Sequence, residues 1–204
     1  MMMEYEIIVI FQYVHIEKKG KDMRSFIIIL GLFCLYVAYS GSPKDSEKNI
    51  ESIKMEIEES CVEFKAKLDD EEYISDYDKK ITAMFKLDTF RIERLLSARI
   101  NLYPSTHDVT QAIYYAEMQY DTLMNKYYKI LLDKLSQEDR EYLRKAQRSW
   151  LEYRDNEKEL AYQLSKDEYS GGGSIQQIIV SSDDMEITKR RVLDLYYYMT
   201  RFYE

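Results

Sequence analysis

The sequence predicts an all-α protein, a bundle of about five helices with an antiparallel hairpin at its centre. Apolar residues recur at spacings of three and four along most of the chain after residue 44, which is the helical period. The 204 residues include only 2 Pro and 6 Gly, few for a loop-rich or β-sandwich protein. Hydrophobic residues make up 46% and charged residues 32%, as in a globular chain of one domain.

Residues 1–40 have the pattern of a leader with a signal peptide. The basic segment 18–24 precedes the apolar run 26–38, which is long enough for a signal-peptide core but shorter than the roughly 20 residues of a membrane-spanning helix. Small residues at the two positions that a signal peptidase reads predict cleavage after Ser40, and Met23 is the expected start. We therefore expect a periplasmic or secreted protein of one helical domain, residues 41–204, without membrane insertion; an uncleaved anchor is the alternative.

The net charge of −8 narrows the choice of partners. Lys and Arg number 29 against 37 Asp and Glu, and residues 1–40 contain equal numbers of both signs, so the acidity belongs to the mature chain. Nucleic acids and anionic lipids are poor partners for such a surface, whereas a basic protein remains a suitable one.

Cysteine usage predicts that no disulfide braces the mature chain. Cys34 lies in the leader, so Cys61 is left without an intramolecular partner. We expect a buried thiol at Cys61, because it belongs to the apolar stripe of the first helix. The other members of this stripe are Ile50, Ile53, Ile57, Phe64 and Leu68.

The first two helices are predicted on either side of an acidic break. The first covers residues 45–68, where Glu and Lys separate the apolar positions. The acidic residues 69–72 interrupt the pattern, which resumes at Tyr73 and continues to Asn101. Pro104 cannot continue a helix and sets the end of the second one.

Three more helices follow. Ser105 or Thr106 can cap a third helix that extends to about residue 135, and Ser136 can cap a fourth. The fourth helix is expected to bury Leu143, Ala146, Trp150, Tyr153, Leu160 and Leu164 and to stop at residues 171–173, which are all Gly. Ser174 can cap a fifth helix, to which we assign the strand-like run 178–180. The many Tyr residues suggest core positions with hydroxyls at the rim, or a Tyr-rich binding surface.

Catalytic and metal-binding patterns are weak in this sequence. His107 is the one His after the leader and has no ligand neighbour at a metal-site spacing. Residues 171–173 lack the Lys and the preceding strand of a phosphate-binding loop. We therefore predict a protein that is not an enzyme and that uses no metal or cofactor; a small hydrolase is the least favoured class.

A polar network is predicted in the hairpin of the third and fourth helices. Residues equally far from the turn at residue 136 face one another, so Asp121 and Asn125 lie opposite the segment that carries Gln147 and Arg154. We expect an Asp121–Arg154 ion pair and an Asn125–Gln147 hydrogen bond on either side of a buried Trp150. An alternative is that Gln147, Arg148 and Arg154 line a ligand site.

The segment 143–155 resembles the signature of the lysozyme inhibitor LprI-like N-terminal domain family. The shared pattern is an Ala-Gln-Arg-x-Trp run that begins at Ala146, followed by an aromatic residue and Arg-Asp. The resemblance covers about residues 90–203 and includes residues 120–128, the glycine turn and the final helix. Many members carry paired cysteines near residues 115–118 and 156–158, and this chain has none there.

The resemblance implies a cell-envelope protein that inhibits lysozyme by non-catalytic protein binding. Arg148 and Asp155, which belong to the same signature, are candidate binding residues. An acidic surface suits a cationic enzyme, because it would attract that enzyme in a salt-sensitive way. A structural or adaptor module of an envelope complex is the second hypothesis. The oligomeric state stays open.

Overall fold

The computed structural model describes residues 50–202. The predicted signal peptide, the start at Met23, the cleavage after Ser40 and Cys34 lie outside the described residues, as does the beginning of the first predicted helix. The described residues form six helices and no strand: α1 (Ile50–Asp69), α2 (Asp76–Leu102), α3 (Thr106–Lys134), α4 (Gln137–Leu164), α5 (Asp167–Ser170) and α6 (Ile175–Met199). The predicted all-α class is confirmed, and the five long helices are joined by one additional short helix, α5.

Serine caps fix three of the helix starts. The side chains of Ser75, Ser105 and Ser136 each accept a hydrogen bond from the backbone N–H three residues later. Such a cap satisfies a donor that has no partner inside the helix, which is why these helices begin where they do. Ser174 does not act as expected, because it has helical dihedral angles and makes no capping hydrogen bond with its side chain.

The connection between α4 and α6 differs from the prediction of one long helix ending at Gly171. Helix α4 stops at Leu164, and the single turn of α5 follows. Gly171, Gly172 and Gly173 then have φ angles of 75°, 74° and 95°, in the left-handed region that favours glycine. Three such residues in a row reverse the chain and allow α6 to return along α3 and α4.

The main core lies between α3 and α6, which pack along much of their length, with α2 against α3 and α4 against α6. Tyr120 and Tyr127 of α3 are fully buried there, as are Leu195 and Met199 of α6. Phe85 of α2 stacks on Tyr196 with ring centroids 4.1 Å apart. This packing holds α3 and α6 as the rigid support on which α4 lies.

A second, smaller core joins α1 to α2. Ile53, Ile57 and Cys61 are buried in it, and Phe64 stacks on Phe90 with ring centroids 4.7 Å apart. The Cys61 thiol is free and 3% exposed, and its burial raises its pKa. The prediction of a buried thiol at Cys61 is confirmed.

Helix α4 is rotated relative to the prediction. Only Leu143 and Gln147 of this helix are buried, whereas Tyr153, Leu160 and Leu164 are more than half exposed. The predicted stripe spans two faces of the helix, and the structure turns the face with Gln147 inward. The physical reason is that the polar side chains of this face find partners on α3 and α6.

Candidate binding groove between helices α3 and α4

Helices α3 and α4 form the predicted antiparallel hairpin, which turns at Leu135 and Ser136. Two ion pairs define its register. Arg154 Nη1 lies 3.4 Å from Asp121 Oδ1, and the Lys158 ammonium donates to the Glu117 carboxylate. The expected Asp121–Arg154 ion pair is therefore present in the structure.

A groove of about 500 Å³ runs between the two helices. Its α3 wall carries acidic and amide groups, whereas its α4 wall carries three guanidinium groups. The lining residues are Asp121, Met124, Asn125, Tyr128, Arg144, Gln147, Arg148, Leu151 and Arg154. Five of the seven predicted site residues line this groove, whereas Trp150 and Asp155 are not among its lining residues.

Gln147 lies at the inner end of the groove and bonds to α6 rather than to Asn125. Its Oε1 accepts hydrogen bonds of 3.0 Å from both Nε and Nη2 of Arg191, and its Nε2 lies 3.4 Å from Met124 Sδ. Asn125 instead donates to the backbone oxygen and carboxylate of Asp121, at 2.9 and 3.0 Å. The expected Asn125–Gln147 hydrogen bond is thus wrong, because Arg191 takes the acceptor of Gln147.

Trp150 is half-buried rather than buried as expected. Two guanidinium groups lie over its ring, with the Arg154 carbon 5.4 Å and the Arg191 carbon 5.7 Å from the ring centroid. Cations at these distances over an indole ring attract its π-electrons. Because Arg191 belongs to α6 and Arg154 pairs with α3, this stack fixes α4 to both neighbours.

Arg148 and Asp155 are both exposed, but they differ in their contacts. Asp155 accepts from the Arg154 guanidinium at 2.8 Å and so completes the ion-pair cluster of that residue. Arg148 lines the groove and forms no hydrogen bond or ion pair with any other residue in the described part of the chain. Its guanidinium is therefore available to a carboxylate of a ligand.

Sequence reasoning missed a second polar cluster, which joins α2, α3 and α6. The Lys189 ammonium lies 2.6 Å from the Glu93 carboxylate, which also accepts a hydrogen bond from the fully buried Tyr120 hydroxyl. Burial alone would raise the pKa of Glu93, but the charge and hydrogen bond of Lys189 and the hydrogen bond of Tyr120 lower it overall. Both side chains of the ion pair are therefore charged at neutral pH.

Asp184 of α6 has a carboxylate oxygen without a hydrogen-bond partner among the described residues. This oxygen, Oδ1, is buried. Burial raises the pKa of Asp184 to about 6, the nearby Glu117 and Asp183 add to this rise, and Lys158 and Arg154 oppose it. A charge on Asp184 thus costs free energy in the folded state.

The described helices carry neither a cluster of metal ligands nor a segment that could span a membrane. No three His, Cys, Asp or Glu side chains within residues 50–202 lie together in a way that could hold a metal ion. None of the helices in that range is long and apolar enough to cross a membrane.

Comparison with known proteins bears on the segment that contains the groove. Residues 102–195 match the model of the family described as lysozyme inhibitor LprI. No curated protein and no solved structure gives a significant match to the chain. The match confirms the resemblance predicted from the sequence, and it covers α3, α4, α5 and most of α6, while α1 and nearly all of α2 lie outside it.

Proposed function

Because the groove lies within the segment that matches the lysozyme inhibitor LprI family, we propose that this protein is an exported, non-catalytic inhibitor of a cationic lysozyme. The single observation that carries the proposal is the match over residues 102–195. In this proposal the leader, residues 1–40, directs export and is removed after Ser40. Residues 41–204 then act in the periplasm or outside the cell as one helical domain.

The charge of the chain supports a cationic partner. A net charge of −8 creates a negative potential that attracts a basic enzyme and raises the rate of encounter, more so at low ionic strength. Salt screens such attraction, with a Debye length of about 8 Å at physiological ionic strength. Binding of a cationic lysozyme should therefore weaken as the salt concentration rises.

Within the groove, Arg148 is the proposed contact to the enzyme. Lysozyme cleaves its glycan with two carboxyl groups. A guanidinium that has no partner of its own can donate two hydrogen bonds to a carboxylate, whereas Arg154 is already held by Asp121 and Asp155. Arg148 would thus supply a specific contact that the acidic surface alone lacks.

The test uses protein purified from cells that express the full 204-residue chain. Hen lysozyme is the probe, and both its binding and its lysis of cell walls are followed in low and high salt. We expect the wild type to bind lysozyme and inhibit its lysis of cell walls, both less in high salt than in low salt. Arg148→Ala should bind lysozyme more weakly and inhibit it less than the wild type does. Lys65→Ala, which removes an exposed Lys of α1 outside the family match, is the matched control. An absence of binding in low salt would contradict the proposed function.

A structural or adaptor role in an envelope complex is the second candidate, and α1 provides the observation that favours it. Met55 and Val62 are 68% and 71% exposed on its outer face, and Glu59 lies between them. An apolar strip beside acidic residues suits a basic protein partner. A photo-crosslinking residue at position 55 would test this role: we expect a partner to be captured there and not from a probe at His107, an exposed control site.

A further inference from the structure

The outward face of α4 carries a row of exposed apolar side chains, which we name the α4 stripe: Tyr142, Ala146, Tyr153, Leu160 and Leu164. Tyr142 is 67% exposed, and Tyr153, Leu160 and Leu164 are each 52% exposed. The spacings of four, seven, seven and four residues place all five on one side of the helix. The stripe is about 33 Å long at 1.5 Å per residue, and the exposed Ser149 and Asn156 lie on the same side of the helix between its apolar members.

The α4 stripe is symmetric about its central residue. If two copies of α4 lie antiparallel with their Tyr153 rings at the crossing point, Tyr142 of each copy meets Leu164 of the other. Ala146 then meets Leu160, so that a small residue faces a large one at both positions, as close helix packing requires. The order of residues along the stripe is similar when read in either direction. A two-fold interface requires such self-complementarity, because both subunits contribute the same surface to it.

The charges beside the stripe follow the same symmetry. Lys145 and Glu159 are exposed on the same edge of α4, near its two ends. In the antiparallel arrangement, Lys145 of one copy approaches Glu159 of the other, and this happens twice across the axis. Lys145 has no ion-pair partner within residues 50–202.

From these observations we propose that α4 binds α4 of a second copy of this chain, as an antiparallel homodimer with its two-fold axis at Tyr153. The contact covers the side of α4 that α3 and α6 leave open. The groove with Arg148 lies on another side of the helix and stays accessible in the dimer. This proposal does not depend on the identity of the partner that the groove binds.

Sedimentation velocity of protein purified from cells that express the full chain tests the dimer directly. A contact made by one helix face is expected to bury less than the about 800 Å² per partner of a stable interface, so the measurement should extend to about 1 mM protein. We expect a rise from the monomer mass to twice that mass with concentration. Tyr153→Arg should abolish this rise, because it places two like charges together on the axis.

Tyr162→Arg is the matched control, because Tyr162 is an exposed Tyr of the same helix that lies off the stripe. It should dimerise like the wild type. Both substitutions are at exposed positions, and thermal unfolding would establish that the variants remain folded. The proposal would be overturned if both variants lost dimerisation equally, or if the wild type stayed monomeric at about 1 mM.

A charge reversal distinguishes this antiparallel pair from other contacts. Lys145→Glu and Glu159→Lys should each weaken the dimer severalfold, and the two changes together should restore it. Rescue in the double variant requires the two positions to meet across the interface. If the double variant dimerises no better than the single ones, or if a partner of different mass occupies the stripe in place of a second copy, the proposed interface is wrong.

Discussion

The buried guanidinium of Arg191 donates two hydrogen bonds of 3.0 Å to the side-chain oxygen of Gln147, 44 residues earlier in the chain. Arg191 is 5% exposed, and the carboxylate of Asp194 lies 3.9 Å from its guanidinium group. Gln147 is thus the principal acceptor for a charge that water cannot reach. This contact ties α4 to α6 and sets the rotation of α4 that leaves the α4 stripe outside.

Gln147→Leu should lower the free energy of unfolding by about 3 kcal/mol, because it leaves a buried charged donor without its acceptor. Urea denaturation of the variant and the wild type would measure this change. Gln147→Glu, which keeps an acceptor for Arg191, is the control and should cost much less. A Leu variant as stable as the wild type would mean that Arg191 finds another partner.

Because Glu93 and Tyr120 share a hydrogen bond, substitutions at the two positions should have non-additive effects on the free energy of unfolding. Glu93→Ala leaves the fully buried Tyr120 hydroxyl without an acceptor and Lys189 without its nearest carboxylate, so it should cost about 2 kcal/mol. Tyr120→Phe should cost about 1 kcal/mol. The double variant should lose about 1 kcal/mol less than the sum of the two, as measured by a double-mutant cycle in urea. Strictly additive losses would show that the hydrogen bond contributes nothing.

The contacts between α3 and α4 could be predicted from the sequence, because a short turn joins the two helices and fixes their register. Once Ser136 marks the turn, the antiparallel register follows, and with it the pair of Asp121 and Arg154. The serine caps were accessible for a similar reason, since each acts on a backbone N–H three residues away. Short-range rules therefore predict the five long helices, the caps of α3 and α4 and one of the two expected contacts.

The rotation of α4 could not be predicted, because its apolar residues cover two adjacent faces. Trp150 and Tyr153 are three residues apart, and periodicity alone does not decide which of their faces meets the core. The structure buries the face with Gln147, whose partner Arg191 lies on α6 and is remote in sequence. A sequence signal existed, since Arg191 falls in the apolar stripe of α6 beside Val192 and Leu195, where an Arg needs an acceptor.

The separate core of α1 and α2 predicts that α1 can detach without unfolding of the main bundle. Ile57→Ala should weaken the packing of α1 on α2 by about 2–4 kcal/mol, because it opens a cavity in a small cluster. Native-state hydrogen exchange should then accelerate in α1 but not in α3 or α6. Ile113→Ala, in the main core, is the control and should accelerate exchange throughout the bundle. Uniform acceleration by Ile57→Ala would show that both cores unfold together.

Removal of the Asp184 charge should increase the stability of the folded protein, and the increase should depend on pH. Its pKa of about 6 lies above the ordinary 3.8, so the folded protein binds the proton more tightly than the unfolded chain does. The carboxylate therefore reduces stability progressively as pH rises from about 4 to about 6, and fully above that. Asp184→Asn should raise Tm by about 2 °C at pH 7.5, and this gain should vanish near pH 4. Thermal unfolding across this range measures the effect, with Asp133→Asn, an exposed Asp of α3, as the control. An equal rise in Tm at both pH values would show that the change in side-chain structure, rather than the loss of charge, stabilises the variant.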